Sequence, residues 1–144
     1  MKEERVELLI KQGDLRMREV DLEKVKSIVE SAEINAKVVK KLALDRESAT
    51  VIFRELYESI RQLGDAKWGL LGYEPRTHEV SMDILQEADI KEKVMLNYLP
   101  RFKRIRNDAN YRGFKVSVEQ AKEITDFWNK CSGEILSIIK ARFR

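Results

Sequence analysis

Residues Ser117–Lys140 read SVEQAKEITDFWNKCSGEILSIIK. Ala121, Ile124, Trp128, Cys131, Ile135 and Ile138 recur there at alternating steps of three and four, the seam spacing of an antiparallel helical bundle. Ser117 and Gln120 open the segment as a capping box, in which the hydroxyl accepts from the Gln120 amide while the Gln120 side chain reaches back. A helix of this length, apolar on one stripe only, needs neighbours to cover that stripe.

The same period supplies them. From Asp45, the residues Ala49, Ile52, Phe53, Leu56, Ile60, Leu63 and Leu70 or Leu71 trace a second long helix up to Gly72, which is placed to end it in the left-handed conformation. Asp21 caps a third, with Leu22, Val25, Val29, Ala32, Ala36, Val39 and Leu42 as its inner stripe to about Leu44. Small residues at 32 and 36 admit a closely packed neighbour. Met1 to Val20 spaces Val6, Leu9, Ile10, Met17 and Val20 as an accessory N-terminal helix weakened by Gly13.

Tyr73–Thr77 is a turn, since Pro75 disfavours a helical Glu74. A short helix follows from Thr77 or His78 to about Glu87. Asp89 and Glu92 form a second capping box, opening a helix that Pro100 kinks and that turns Val94, Tyr98, Phe102, Ile105 and Ala109 inward before ending near Gly113. Strand-like alternation, repeats and linkers are absent. The expected fold is therefore one all-α domain over residues 1–144, an up-and-down bundle of about four to six helices.

The composition agrees. At 144 residues, roughly two-thirds of the unfolded surface can be buried without a staple. Charged residues make up 37%, with Lys+Arg 28 against Asp+Glu 25, a balance that suits helices laced by i,i+4 pairs. The lone Cys131 excludes an internal disulfide and reads as a small buried hydrophobe. No apolar run resembles a signal peptide or a membrane span, so a cytoplasmic location is expected. The only histidine, His78, lacks the glutamate three residues before it that a carboxylate-bridged metal site requires, and no phosphate loop or zinc-ligand set occurs. Neither metal nor cofactor is expected.

One stretch departs from the mixed charge pattern. In Arg101–Phe114, RFKRIRNDANYRGF, the cations Arg101, Lys103, Arg104, Arg106 and Arg112, with Lys115 just beyond, surround the single acid Asp108. Two readings are open. Arg104 and Asp108, four apart, form an ordinary surface pair while the other cations solvate the outer face. Alternatively, an arginine fork, an amide and a phenol at one helix end (Arg106, Asn110, Tyr111) hold a phosphate and stack a base. His78 is similarly two-sided: Thr77 caps its helix and the ring either packs beneath that turn or faces the basic edge, where it serves as acid or base near neutrality.

Tyr57–His78, YESIRQLGDAKWGLLGYEPRTH, followed by Arg106–Tyr111 and by Ser117–Ala121, resembles the HEPN superfamily (higher eukaryotes and prokaryotes nucleotide-binding), in particular its small stand-alone prokaryotic members. The likeness spans about residues 22–140 and rests on the order of short motifs: an Ala/Leu helix ending at Gly72, the Thr77-His78 turn and the Arg-x-x-Ala-x-Tyr helix end. It implies an up-and-down bundle that homodimerises so that two arginine motifs face one cleft. Many members are metal-independent RNases, often toxins held by a nucleotidyltransferase antitoxin; others bind nucleotides or serve as inert partners. Arg106 matches the family's catalytic arginine and Asn107 the polar residue that follows it. Where the family's histidine belongs, this chain has Asn110, Tyr111 and Arg112.

A phenol titrates near about pH 10, which makes tyrosine a poor general base at neutrality. The resemblance therefore implies first a nucleotide- or RNA-binding module, with Arg106 as phosphate anchor, Asn107, Asn110 and Tyr111 at base or sugar, and Arg101, Lys103, Arg104 and Arg112 as a salt-sensitive footprint. The alternatives are an endoribonuclease using Arg106 with Tyr111 or His78, and a homodimeric assembly partner whose basic helix docks an acidic or nucleotidyltransferase protein.

Overall fold

The helix α3, Ala49–Leu70, is the axis on which the chain packs. The computed structural model describes all 144 residues, and α3 is buried on several faces rather than along one stripe, through Ile52, Phe53, Leu56, Ile60, Leu63, Ala66 and Trp68. Around it stand α2 (Leu22–Val39), α4 (His78–Asp83), α5 (Leu99–Tyr111) and α6 (Val118–Lys140), with α1 (Glu3–Lys11) at the N-terminal side. Ala32 and Ala36 are fully buried, and α2 comes close enough for the Ser59 hydroxyl to donate to the Ala32 carbonyl at 2.9 Å. Thirty-four buried residues from all six helices and their connections form one continuous core. No helix is long and apolar enough to cross a membrane.

Both ends of the expected capping chemistry hold. Asp21 accepts from the Lys24 amide, and Ser117 with Gln120 forms the full capping box. Gly72 adopts φ +88° and stops α3 as its position predicts. Along α6, Ala121, Ile124, Trp128, Cys131 and Ile135 are buried; the stripe finishes on Ile139, leaving Ile138 partly exposed.

Several expectations are corrected. The N-terminal 20 residues are not one helix: Gly13, at φ +80°, turns the chain, and β1 (Leu15–Met17) pairs antiparallel with β2 (Tyr73–Pro75), Arg16 opposite Glu74. The fold is thus helical with one short ribbon, strands too brief for alternation to reveal; Met17 and Val20 are exposed, not inward. α2 stops at Val39 rather than Leu44, because Ser48 and Asp45 close the 43–48 loop with their own side-chain hydrogen bonds, and Leu42 is left exposed. No capping box forms at Asp89–Glu92, where Asp89 pairs with Lys93 instead. Residues Lys93–Tyr98 wind as a 3-10 helix, whose three residues per turn rotate Val94 and Tyr98 to the surface. Pro100 consequently begins α5 instead of kinking it, its missing N–H falling where a helix has no acceptor to offer.

Candidate functional site

The short helix α4 owes its position to α3. Gly64 faces it without a side chain: a Cβ there would lie 1.9 Å from the Ser81 carbonyl oxygen. Around this contact the Trp68 indole donates to the Val80 carbonyl at 2.8 Å, and the Ser81 hydroxyl donates to Asp65 at 2.5 Å. Asp65 also receives Arg61 at 2.7 Å, yet its burial still pushes the carboxyl above the usual range. Thr77 caps α4 by accepting from the Val80 amide. His78, the next residue, is thereby held beside Tyr57 of α3.

α5 closes the other wall. Phe102 is fully buried and packs edge-on against Phe53 of α3 and Phe127 of α6, with ring centroids 6.0 and 5.5 Å apart. One helical turn later Arg106 reaches the same edge. Its Nη1 lies 3.2 Å from His78 Nε2 and 3.4 Å from the Tyr111 hydroxyl, and its guanidinium sits over the rings of Tyr57 and Tyr111 at 5.9 and 5.7 Å. No carboxylate comes within 4 Å of it. Arg106, His78 and Tyr111 therefore converge, and His78 combines both sequence readings: it sits under its turn and faces the basic edge.

The Arg106 contact favours one tautomer of His78, although Glu79 offers Nε2 an acceptor at the same 3.2 Å. Arg106 can only donate, so in the neutral ring Nε2 carries the lone pair and Nδ1 carries the proton, which goes to the Tyr57 hydroxyl at 2.8 Å. Burial lowers the imidazole pKa; Glu79, whose carboxylate is 3.2 Å from Nε2, opposes this, while Arg106, Arg61 and Lys103 reinforce it. With its pKa held below the ordinary value the ring is uncharged at neutral pH, and in this tautomer its basic nitrogen faces Arg106. Tyr57 is buried, which raises its phenol well above the ordinary range, so the group facing Nδ1 stays un-ionised. The arrangement can bind an anion at Arg106 and accept a proton beside it.

The remaining cations of the stretch divide. Arg101 is taken up by Glu123 at 2.8 Å, Lys103 by Asp83 at 3.0 Å, and Arg112 lies 3.9 Å from Asp108 and over the Phe114 ring. Arg104 is exposed, and the pair with Asp108 expected of it is made by Arg112. Asn110 leaves the Arg106 group and accepts from Arg54 of α3 at 2.9 Å, which brings a further cation to this edge. The Asn107 side-chain oxygen is buried without a partner.

Tyr57, Gly64, Glu79 and Arg54 are the members sequence reasoning missed. Tyr57 falls four residues after Phe53 on the apolar stripe of α3, and a buried phenol at such a position needs a polar partner, which was a usable signal. Cys131 is buried and its thiol is pushed up to about 11, an inert core residue. No cluster of His, Cys, Asp and Glu is arranged to hold a metal ion. No protein-family model matches this chain, and no curated protein or solved structure does either.

Proposed function

We propose that this chain is a HEPN-like module that binds RNA, holding one backbone phosphate between Arg106, His78 and Tyr111. The observation that carries the reading is the half-buried guanidinium of Arg106, which has aromatic faces and an imidazole for neighbours and no carboxylate. A phosphate supplies the missing acceptor in bidentate geometry. Tyr111, 73% exposed, offers a ring on which a base stacks. Arg54 and Arg104 add a salt-sensitive margin. In a fluorescence-anisotropy titration with a labelled single-stranded RNA at low salt, Arg106→Ala is expected to weaken binding by about tenfold to a hundredfold, the worth of a charge-assisted pair. Undiminished affinity sinks the reading.

A second reading, metal-independent cleavage, is favoured by one specific observation: His78 Nε2 lies 3.2 Å from Arg106 although it comes from α4 and not from the arginine's own helix. In that reaction Nε2 takes the proton of a ribose 2′-hydroxyl, the 2′-oxygen attacks the adjacent phosphorus, and the bond to the 5′-oxygen breaks. The imidazolium passes that proton, through water, to the leaving oxygen, so the products carry a 2′,3′-cyclic phosphate and a 5′-hydroxyl and the ring returns to its neutral form. Incubation with RNA in chelator, followed by end-group analysis, tests it: cyclic-phosphate ends that vanish in His78→Ala support cleavage, and intact RNA at high protein concentration rejects it.

A further inference from the structure

A second surface lies on elements that the Arg106 cleft does not use. Helices α2 and α6 both pack on α3, and between them runs an open groove of about 670 Å³. They run antiparallel along it: Lys40 meets Asn129 towards one end, and Lys26 lies 5.8 Å over the Phe143 ring towards the other. The groove has an apolar floor of Val29, Trp128 and Leu136. On its α2 side Ile34 lines the groove and is 51% exposed. An exposed aliphatic alone is ordinary; one that continues a concave apolar floor forms the kind of patch that binds another surface.

Charge says what that surface is. Lys26, Lys37, Lys40 and Lys140 line the groove against only Glu30 and Glu33. Glu33 is committed to Lys140 at 2.6 Å, and Lys37 has no carboxylate within 4 Å. A second copy of this chain, docked about a two-fold axis, would bring the same lysine excess against itself. A carboxylate-rich partner is attracted and can replace the exposed Lys140 and Lys40 contacts, since exposed pairs are held weakly. The shape is equally selective. A cleft between two antiparallel helices accepts a third helix at ordinary packing distance, with its apolar residues at i, i+4 and i+7 entering the floor.

We propose that the groove between α2 and α6 docks an amphipathic helix of a partner protein whose polar flanks are rich in glutamate and aspartate. Trp128, at the groove floor, reports occupancy, whereas Trp68 is fully buried in the core. The probe is a synthetic amphipathic peptide with leucines on one helical face and glutamates elsewhere, compared with its lysine-for-glutamate counterpart, both titrated into the whole chain while tryptophan fluorescence is followed.

The glutamate peptide is expected to bind saturably and more weakly as salt is raised, and the lysine peptide not to bind. Ile34→Ser should weaken binding by about tenfold, one truncated apolar contact expressed as a ratio of dissociation constants. Lys37→Glu should weaken it by about twofold to fivefold, the size of one exposed charge contact. Both positions are surface-exposed, so both variants fold; circular dichroism checks that they do. Equal binding of the two peptides, no binding of the glutamate peptide, or an Ile34→Ser variant that binds undiminished would each overturn the proposal. So would sedimentation showing that the wild type is a dimer which Ile34→Ser converts to monomer, because the occupant would then be a second copy.

Discussion

The Arg106 cleft and the α2/α6 groove both present positive charge and apolar surface, and they are built in opposite ways. In the cleft the frame is set by interhelix contacts: Gly64 lets α4 touch α3, Tyr57 holds His78, and Phe102 anchors α5 one turn below Arg106. The acids nearby face other partners, Glu123 with Arg101, Asp83 with Lys103, Asp108 with Arg112 and Glu79 with His78, which leaves the Arg106 guanidinium without a carboxylate within 4 Å. In the groove the lysines sit on flexible stems above an open apolar floor, with no preset fork for a phosphate. A carboxylate-free guanidinium set among aromatic rings suits a small anionic group. An open, many-cation groove suits an extended acidic surface.

The comparison breaks if the two regions respond together, and the variants that test this can be ranked by expected effect. Gly64→Ala comes first. The added methyl has no room beside the Ser81 carbonyl, so α4 must move, with a loss of about 1–3 kcal/mol in a urea unfolding experiment and a loss of RNA binding. Groove peptide binding, referred to the folded fraction, should be unchanged.

Tyr57→Phe comes next. It removes the acceptor of the His78 Nδ1 proton and is expected to cost about 0.5–1.5 kcal/mol. Because His78 is the only histidine, its two ring nitrogens are unambiguous in nitrogen-15 NMR spectra. Wild type should show the Nδ1–H tautomer, and the variant should shift toward Nε2–H, where Glu79 can accept. A wild type already in the Nε2–H form contradicts the assignment made from Arg106.

Smaller still is the effect of pH. The folded-state pKa of His78 is depressed below its ordinary value of about 6.5, so the unfolded chain binds more protons as the medium is acidified. Its stabilising contribution is fully present above about pH 6.5 and is lost as pH falls through the lower, folded-state value. His78→Gln should flatten that part of the stability profile. Any RNA cleavage by Nε2 should fade over the same acidic window.

How far the sequence alone reached also differs between the two regions. The walls of the groove, α2 and α6, follow from uninterrupted three-and-four spacing and side-chain caps at Asp21 and Ser117, features that act within a few residues of each other. The cleft depends on contacts between residues far apart in the chain. The sequence groups Arg106, Asn110 and Tyr111 at one helix end, but a position five residues on, about 140° round the helix, does not show that the Tyr111 ring meets the guanidinium while Asn110 turns to Arg54. Nothing local to His78 shows that Gly64 will draw α4 down until Nε2 meets Arg106. The same limitation explains Pro100, which begins α5 because Lys93–Tyr98 wind at three residues per turn, a change of pitch that no local feature of the segment announces. It also explains the ribbon, since Leu15–Met17 is a strand only because Tyr73–Pro75 lies beside it.

The central claim is that Arg106, not the basic stretch as a whole, holds the ligand. Its most direct test is a pair of anisotropy titrations of one labelled single-stranded RNA with Arg106→Ala and Arg101→Ala under the same low-salt conditions. Each variant loses one positive charge, but Arg101 is already paired with Glu123. The account predicts a loss of at least about tenfold for Arg106→Ala and about twofold or less for Arg101→Ala. Equal losses in the two variants would contradict it, because the stretch would then act only through its summed charge.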